Sequence, residues 1–231
     1  MRVLYGAGMH RGSASGIVYK YVTDLDGEPV FDLLINQKEV LKTALVQSTK
    51  DLEEAVIAVG PTMDDTIRMI FEAHKLMVND PILLDAAFAA IETGQSAYQA
   101  YQTAAQAIIK HFQTLKNDYM RNRVIDIIDA TDRVLHAIVS AEYKQEFRFP
   151  ETRILVMDQM RPSVILNCQK PFIGGLIAET GSIDQHSALI ARSKGLPTVI
   201  FSQAMATLHN GDFVTIDGDA GTITVAPAVN R

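Results

Sequence analysis

Cysteine occurs once in this 231-residue chain, at Cys168. A lone thiol excludes an internal disulfide and a thiolate metal cluster, so Cys168 is read as a small buried hydrophobe. Long hydrophobic runs are missing as well: nowhere do about eighteen apolar residues stand together, and the opening holds no apolar stretch of signal-peptide length. Neither export nor membrane insertion is expected, and a cytoplasmic location is. Excess positive charge is also lacking, since 27 acidic residues against 21 basic ones leave a formal net charge of −6. Nucleic acid is therefore not an expected partner, and a basic protein is easier to accommodate. What is present is ordinary globular usage, 48% hydrophobic and 21% charged. That is enough to build one large domain or two modest ones and argues against disorder.

The texture of the chain changes twice. Small residues crowd the opening (Gly6, Gly8, Gly12, Ser13, Ser15) and lead into Gly16–Val22, a strand by its β-branched and aromatic content. Asp24–Pro29 is turn chemistry, and Val30–Ile35 is a second short β-type run, so a pair of strands is expected to open the chain. From Gln37 to Tyr143 apolar residues recur at helical spacing, as in Val40, Leu41, Ala44, Leu45 and Leu52. Gly60-Pro61, Asn79-Asp80-Pro81 and Thr93-Gly94 punctuate this stretch, and new helices are expected near Thr62, Ser96 and Asp118. After Pro150 short β runs return at 154–157, 175–178, 198–201, 213–216 and 222–225. The simplest organisation is an α/β domain with a mixed sheet and flanking helices, made of residues 1–36 and 147–231. An all-α helical bundle, residues 37–146, is inserted in it, and the two termini share the sheet. Two apparent ligand loops fall away. Asp217-Gly218-Asp219-Ala220-Gly221 lacks the remaining oxygens of a calcium loop and reads as a hairpin turn. Gly6-Ala7-Gly8 lacks the third glycine and the preceding strand of a dinucleotide loop.

The chemistry concentrates between Leu176-Ile177-Ala178 and Gly195-Leu196-Pro197. Asp184 is the expected N-cap of a helix that stops at Gly195, with Leu189 and Ile190 facing a core. His186 then lies in the first turn, where helix N–H groups can receive an anion. Imidazole is nucleophilic near neutral pH and also a competent leaving group, so a phosphoryl group could be accepted and passed on without metal. Arg192 could supply or organise positive charge. A lone histidine at a helix start is, on physical grounds alone, as readily a polar capping residue.

Resemblance separates the two. Gly181–Arg192 resembles the phosphohistidine signature of PEP-utilising enzymes (PEP, phosphoenolpyruvate), with His186, Ala188, Ile190, Ala191 and Arg192 in register. Ile70-Phe71-Glu72-Ala73-His74-Lys75-Leu76-Met77 is similar to the Phe-Glu-Ala-His helix of Enzyme I of the sugar phosphotransferase system. Asp118-Tyr119 with Arg123, Asp126, Asp129 and Arg133 follows that family's spacing. The resemblance implies a swivelling phosphohistidine domain with an inserted bundle that binds HPr, the small phosphocarrier. Glu72, His74, Leu76, Met77, Leu83, Tyr119 and Arg123 would contribute to the HPr-binding face, and His186, Asp184, Gln185 and Arg192 would form the transfer site. By spacing alone, Leu76 and Met77 are equally readable as bundle core, His74 as a solvated histidine, and the Arg123–Arg133 series as a salt-bridged face.

Some residues depart from the family pattern. Asp184-Gln185 stand where the family has Thr-Ser, Ser182 replaces the second glycine, and Ile165 replaces a threonine that holds the histidine. The resemblance thus implies a phosphoryl carrier of a PEP-protein phosphotransferase. It leaves two alternatives: an HPr-binding paralogue with a decayed site, and the swivelling domain of a PEP synthase or dikinase. No cofactor is expected in this chain; Mg2+ would accompany a PEP-binding C-terminal domain, fused or separate.

Overall fold

The computed structural model describes residues 1–22, 33–59, 65–140, 147–183 and 185–227. In chain order these form β1 (Arg2–Tyr5), β2 (Ala7–His10), β3 (Ser13–Lys20), α1 (Gln37–Val59), α2 (Asp65–Val78), α3 (Pro81–Glu92), α4 (Ala97–Thr114), α5 (Asp118–Asn122) and α6 (Val124–Val139). The chain continues as β4 (Arg153–Gln159), α7 (Pro162–Asn167), β5 (Ile173–Thr180), α8 (His186–Ser193), β6 (Thr198–Ile200), α9 (Ala204–Thr207), β7 (Phe213–Asp217) and β8 (Thr222–Val225). It divides into two compact units, one of residues 1–23 with 145–231 and the other of residues 24–144.

In the first unit the strands run in the order β1-β8-β7-β3-β4-β5-β6-β2. The central strands β3 to β6 are parallel to one another, and the outer pairings are antiparallel. Central strands covered on both faces need apolar side chains throughout, which is why Ile154–Met157 and Leu176–Ala178 are wholly buried. Ile154, Val156, Ile177 and Val199 turn one way to pack with Ala204 of α9, with Leu208, which caps it, and with Val214, Ile216 and Ile223. The alternate residues Leu155, Met157, Leu176 and Ala178 take the other face. Pairing of Arg2 with Val225 places both ends of the described chain in one sheet, as the sequence led us to expect.

β1 and β2 occupy opposite edges of this sheet yet are separated only by Gly6. Two Cα steps span at most about 7.6 Å, so the two edges come together at that residue. The Gly6 N–H donates to Gly221 O at 2.8 Å, and a Cβ at Gly6 would collide with the Ile200 carbonyl oxygen of β6. Neither strand is evident in the glycine-rich opening, because both are short and lack alternation; Gly6-Ala7-Gly8 therefore does follow a strand. The Asp217–Gly221 segment is the expected hairpin turn. Asp217 Oδ1 accepts the N–H groups of Asp219 and Ala220, each at 2.9 Å.

The second unit is a helical bundle. Leu41, Ala44 and Leu45 of α1, Leu83 and Ala87 of α3, Tyr101, Ala104 and Ala105 of α4, and Ala130, Val134 and Leu135 of α6 form its core. Its punctuation follows capping chemistry. Asp80 accepts from Ile82 N and Leu83 N ahead of Pro81, and Ser96 accepts from Gln99 N. Two expectations are corrected. Leu33–Ile35 is turn and bend rather than strand, while Val30–Asp32 and the Thr62 cap lie outside the described residues. The helix expected to run on from Asp118 breaks at Arg123, which closes α5 and opens α6.

Candidate functional site

Strands β4, β5 and β6 are parallel and run at their carboxyl ends into α7, α8 and α9 respectively. Such an edge is where open α/β sheets hold ligands, and His186 sits there as the first residue of α8. The turn before it is fastened by Gln185. The Gln185 N–H donates to Ser182 O at 3.1 Å, and its side-chain Oε1 accepts the Ser182 N–H at 3.2 Å. With φ −78° and ψ 151°, Gln185 is also the N-cap, and its carbonyl accepts from Ala188 N at 3.1 Å. The cap is thus one residue later than expected, at Gln185, whose side chain reaches back into the turn; Asp184 lies outside the described residues.

Beneath the turn, a Cβ on Gly181 would press on Ile200 Cδ1, Met160 Sδ and Met9 Cε at 3.0–3.2 Å, so glycine fits a crowded floor. Ser187, Ala188, Ile190 and Ala191 are buried, and Ser187 Oγ has no hydrogen-bond partner. Leu189, expected in the core, is only half-buried. Gly195, at φ 60°, closes the helix as expected.

Arg192 lies on the same helix as His186. It is exposed in the last turn of α8, about 9 Å further along the helix axis. Its charge is felt by His10 of β2, whose imidazole pKa is lowered by burial first and then by Arg192 and Lys170, against the pull of Asp219. On α7, which packs on α8, Ile165 is fully buried and apolar. Just before α7 lies a residue the sequence reading passed over, Arg161, buried at 6% exposure. Its place immediately ahead of the Pro162-Ser163 pair was the available signal. Cys168 is the inert hydrophobe expected. Its thiol donates to Val164 O at 3.3 Å, and burial pushes its pKa up to about 12.

The residues singled out in the bundle divide by depth. Glu72, Leu76 and Tyr119 are exposed, and Glu72 pairs with Lys75 at 2.9 Å. Met77 is half-buried against the core. Leu83 and His74, each at 1% exposure, lie inside, so they support the surface from beneath rather than form it. His74 is therefore not a solvated histidine. Its Nε2 stands 3.9 Å from Asp126 Oδ1 and its Nδ1 3.8 Å from Asp129 Oδ2, with no hydrogen bond at either nitrogen. Arg123 links this buried cluster to the surface: Nη1 reaches Asp126 Oδ2 at 3.3 Å, and Nη2 donates to the Tyr119 hydroxyl at 2.6 Å.

Among the described residues no group of three or more His, Cys, Asp or Glu side chains could hold a metal ion, and no helix is long and apolar enough to cross a membrane. The family profile for the N-terminal part of PEP-utilising enzymes matches residues 5–123, and the profile for their mobile domain matches residues 149–221. The phosphoenolpyruvate-protein phosphotransferase of Bacillus subtilis (strain 168) is 28% identical over 99% of this chain. Those of Priestia megaterium and Staphylococcus aureus are 30% and 26% identical over 81% and 89% of it. The chain spans 41%, 33% and 35% of the lengths of these relatives. Among solved structures, Enzyme I (nEIt) matches with a TM-score of 0.67 at 20% identity, and the N-terminal domain of Enzyme 1 - Nitrogen with 0.64 at 18%. Each match covers 97% of this chain and 93% of the other. At these identities the likeness is one of fold.

Proposed function

This chain belongs to the PEP-utilising enzymes, and from that premise we propose that it is the phosphoryl-carrier part of an Enzyme I-like PEP-protein phosphotransferase. His186 accepts phosphate and exchanges it with the histidine of an HPr-like protein. The observation that carries this reading is the place of His186 in the first turn of α8, at the carboxyl edge of the parallel strands. The neutral imidazole attacks through Nε2. The N–P bond to His186 forms as the P–N bond of the donor phosphohistidine breaks, and the donor ring keeps the electron pair. Because little covalent chemistry falls to the protein in such a transfer, the chain's task is to fix the ring and meet the phosphoryl charge. Gln185 fixes the turn from which the ring projects, and the helix N-terminus offers N–H groups to the oxygens.

In this reading the exposed Glu72, Leu76 and Tyr119, with Arg123 beside them, form the face that HPr docks on, in the cytoplasm where such carriers work. PEP and Mg2+ are held by a further domain in this reading. The test is to incubate the chain with phosphorylated HPr and weigh the intact protein. One phosphate is expected on wild type and none on His186→Ala. Ile165 favours a second reading, an HPr-binding module without transfer, because α7 presents an apolar side chain where a hydroxyl would hold the imidazole. Binding of HPr with no phosphate gained would establish that reading instead.

A further inference from the structure

We propose that the sheet edge opposite His186 binds a small oligophosphate, a molecule of linked phosphoryl groups, between Lys170, Arg192 and Lys194 beside His10; this does not rest on the carrier reading above. Segments distant in sequence meet at that edge. His10, the last residue of β2, pairs with Thr198, the first of β6, and a Cβ on Gly218 would collide with the His10 carbonyl oxygen. Helix α8 packs on β2 and stops at Gly195, whose N–H donates to Arg192 O at 2.9 Å. Lys170, shortly before β5, returns to the same stop: its Nζ stands 3.8 Å from where a Cβ on Gly195 would lie. Lys194, the C-cap of α8, adjoins Gly195 along the chain. The amino ends of β5 and β6, the end of α8 and the end of β2 thus bring these basic groups to one place.

The charges there do not cancel. Among the described residues, the charged groups of Lys170, Arg192 and Lys194 pair with no carboxylate. Asp219, whose charge does reach His10, is already engaged: Oδ2 accepts the Gly12 N–H at 2.9 Å, and Oδ1 lies 3.8 Å from Arg11 Nε. Cations gathered in this way repel one another, in a chain whose net charge is −6. The repulsion shows on His10, where Arg192 and Lys170 add to burial in lowering the imidazole pKa. Lys194 is half-buried, and burial lowers its ammonium pKa as well. A multiply charged anion relieves all of these groups at once. Oligophosphate suits them, because the arginine fork takes two oxygens of one phosphoryl group while lysines meet the next as point charges. The cluster is confined to neighbouring strand and helix ends, so a small polyanion fits it better than an extended acidic surface does.

Pyrophosphate is the probe, with sodium chloride at matched ionic strength as control. The His10 imidazole resonances, identified with His10→Gln, are followed by NMR. Saturable shifts are expected with pyrophosphate, together with a rise in the His10 pKa, since a bound anion favours the imidazolium. Lys170→Gln and Arg192→Gln are each expected to weaken binding by about tenfold, in line with loss of a charged hydrogen bond, while the melting temperature stays close to wild type. His186→Ala is expected to bind as wild type does. ADP titrated in parallel separates the two sources of such a ligand: tighter binding than pyrophosphate marks a nucleotide, and equal or weaker binding marks an inorganic oligophosphate. Shifts that follow ionic strength alone, or equal affinity in wild type and both charge variants, would overturn the proposal. So would loss of binding in His186→Ala, which would move the anion to the first turn of α8.

Discussion

A methyl group at position 6 has nowhere to go. It would meet a main-chain oxygen of β6, which is itself tied into pairing with β2, so relief requires a strand rather than a side chain to shift. Gly6→Ala is therefore expected to cost about 2–3 kcal/mol, seen as a lowered thermal midpoint. Unchanged melting would mean the edges are not clasped there. This constraint was invisible in the sequence, where Gly6 is one of several small residues, because the crowding comes from Ile200 and Val199, far away along the chain. The His186 neighbourhood shows the opposite case. The helix, its first-turn histidine and the Gly195 stop were all legible from local capping chemistry. The identity of the cap was not, because propensity favours Asp184 and only the turn geometry selects Gln185.

Helix α2 shows how one element serves two purposes. Leu76 is 76% exposed while His74, two residues away, is buried against two carboxylates of α6. Leu76→Ala is expected to weaken HPr binding several-fold while stability stays within about 0.5 kcal/mol of wild type, as for an exposed substitution. His74→Ala is expected to cost about 2–4 kcal/mol, because it opens a cavity and strips Asp126 and Asp129 of a shared neighbour. Urea unfolding and titration with HPr read the two effects separately, and a stable, normally folded His74→Ala would contradict the buried-cluster account. Spacing alone had left both residues open, since period 3.6 identifies a face but not which face is covered. The strands from β4 onward were legible because buried β runs between turns leave a strong pattern. The break at Arg123 was not, for neither glycine nor proline marks it; the arginine there turns toward Tyr119 and Asp126 instead.

For the whole molecule, the inserted bundle and the sharing of one sheet by both ends were legible, whereas the meeting of the sheet's two edges was not, because it turns on the single residue between β1 and β2. The strand pairings also impose a schedule. Bundle helices find their partners within one stretch of chain, but β3 must wait across that stretch for β4, and β1 must wait for β8, the last of the described strands. Contacts so distant along the chain form slowly. Pulsed hydrogen exchange during refolding is expected to protect amides of α1, α4 and α6 before those of β1 and β8; the reverse order would refute this. On a ribosome the docking face would then exist before the histidine site had a sheet to stand on. The clasp at Gly6 would be what completes that sheet.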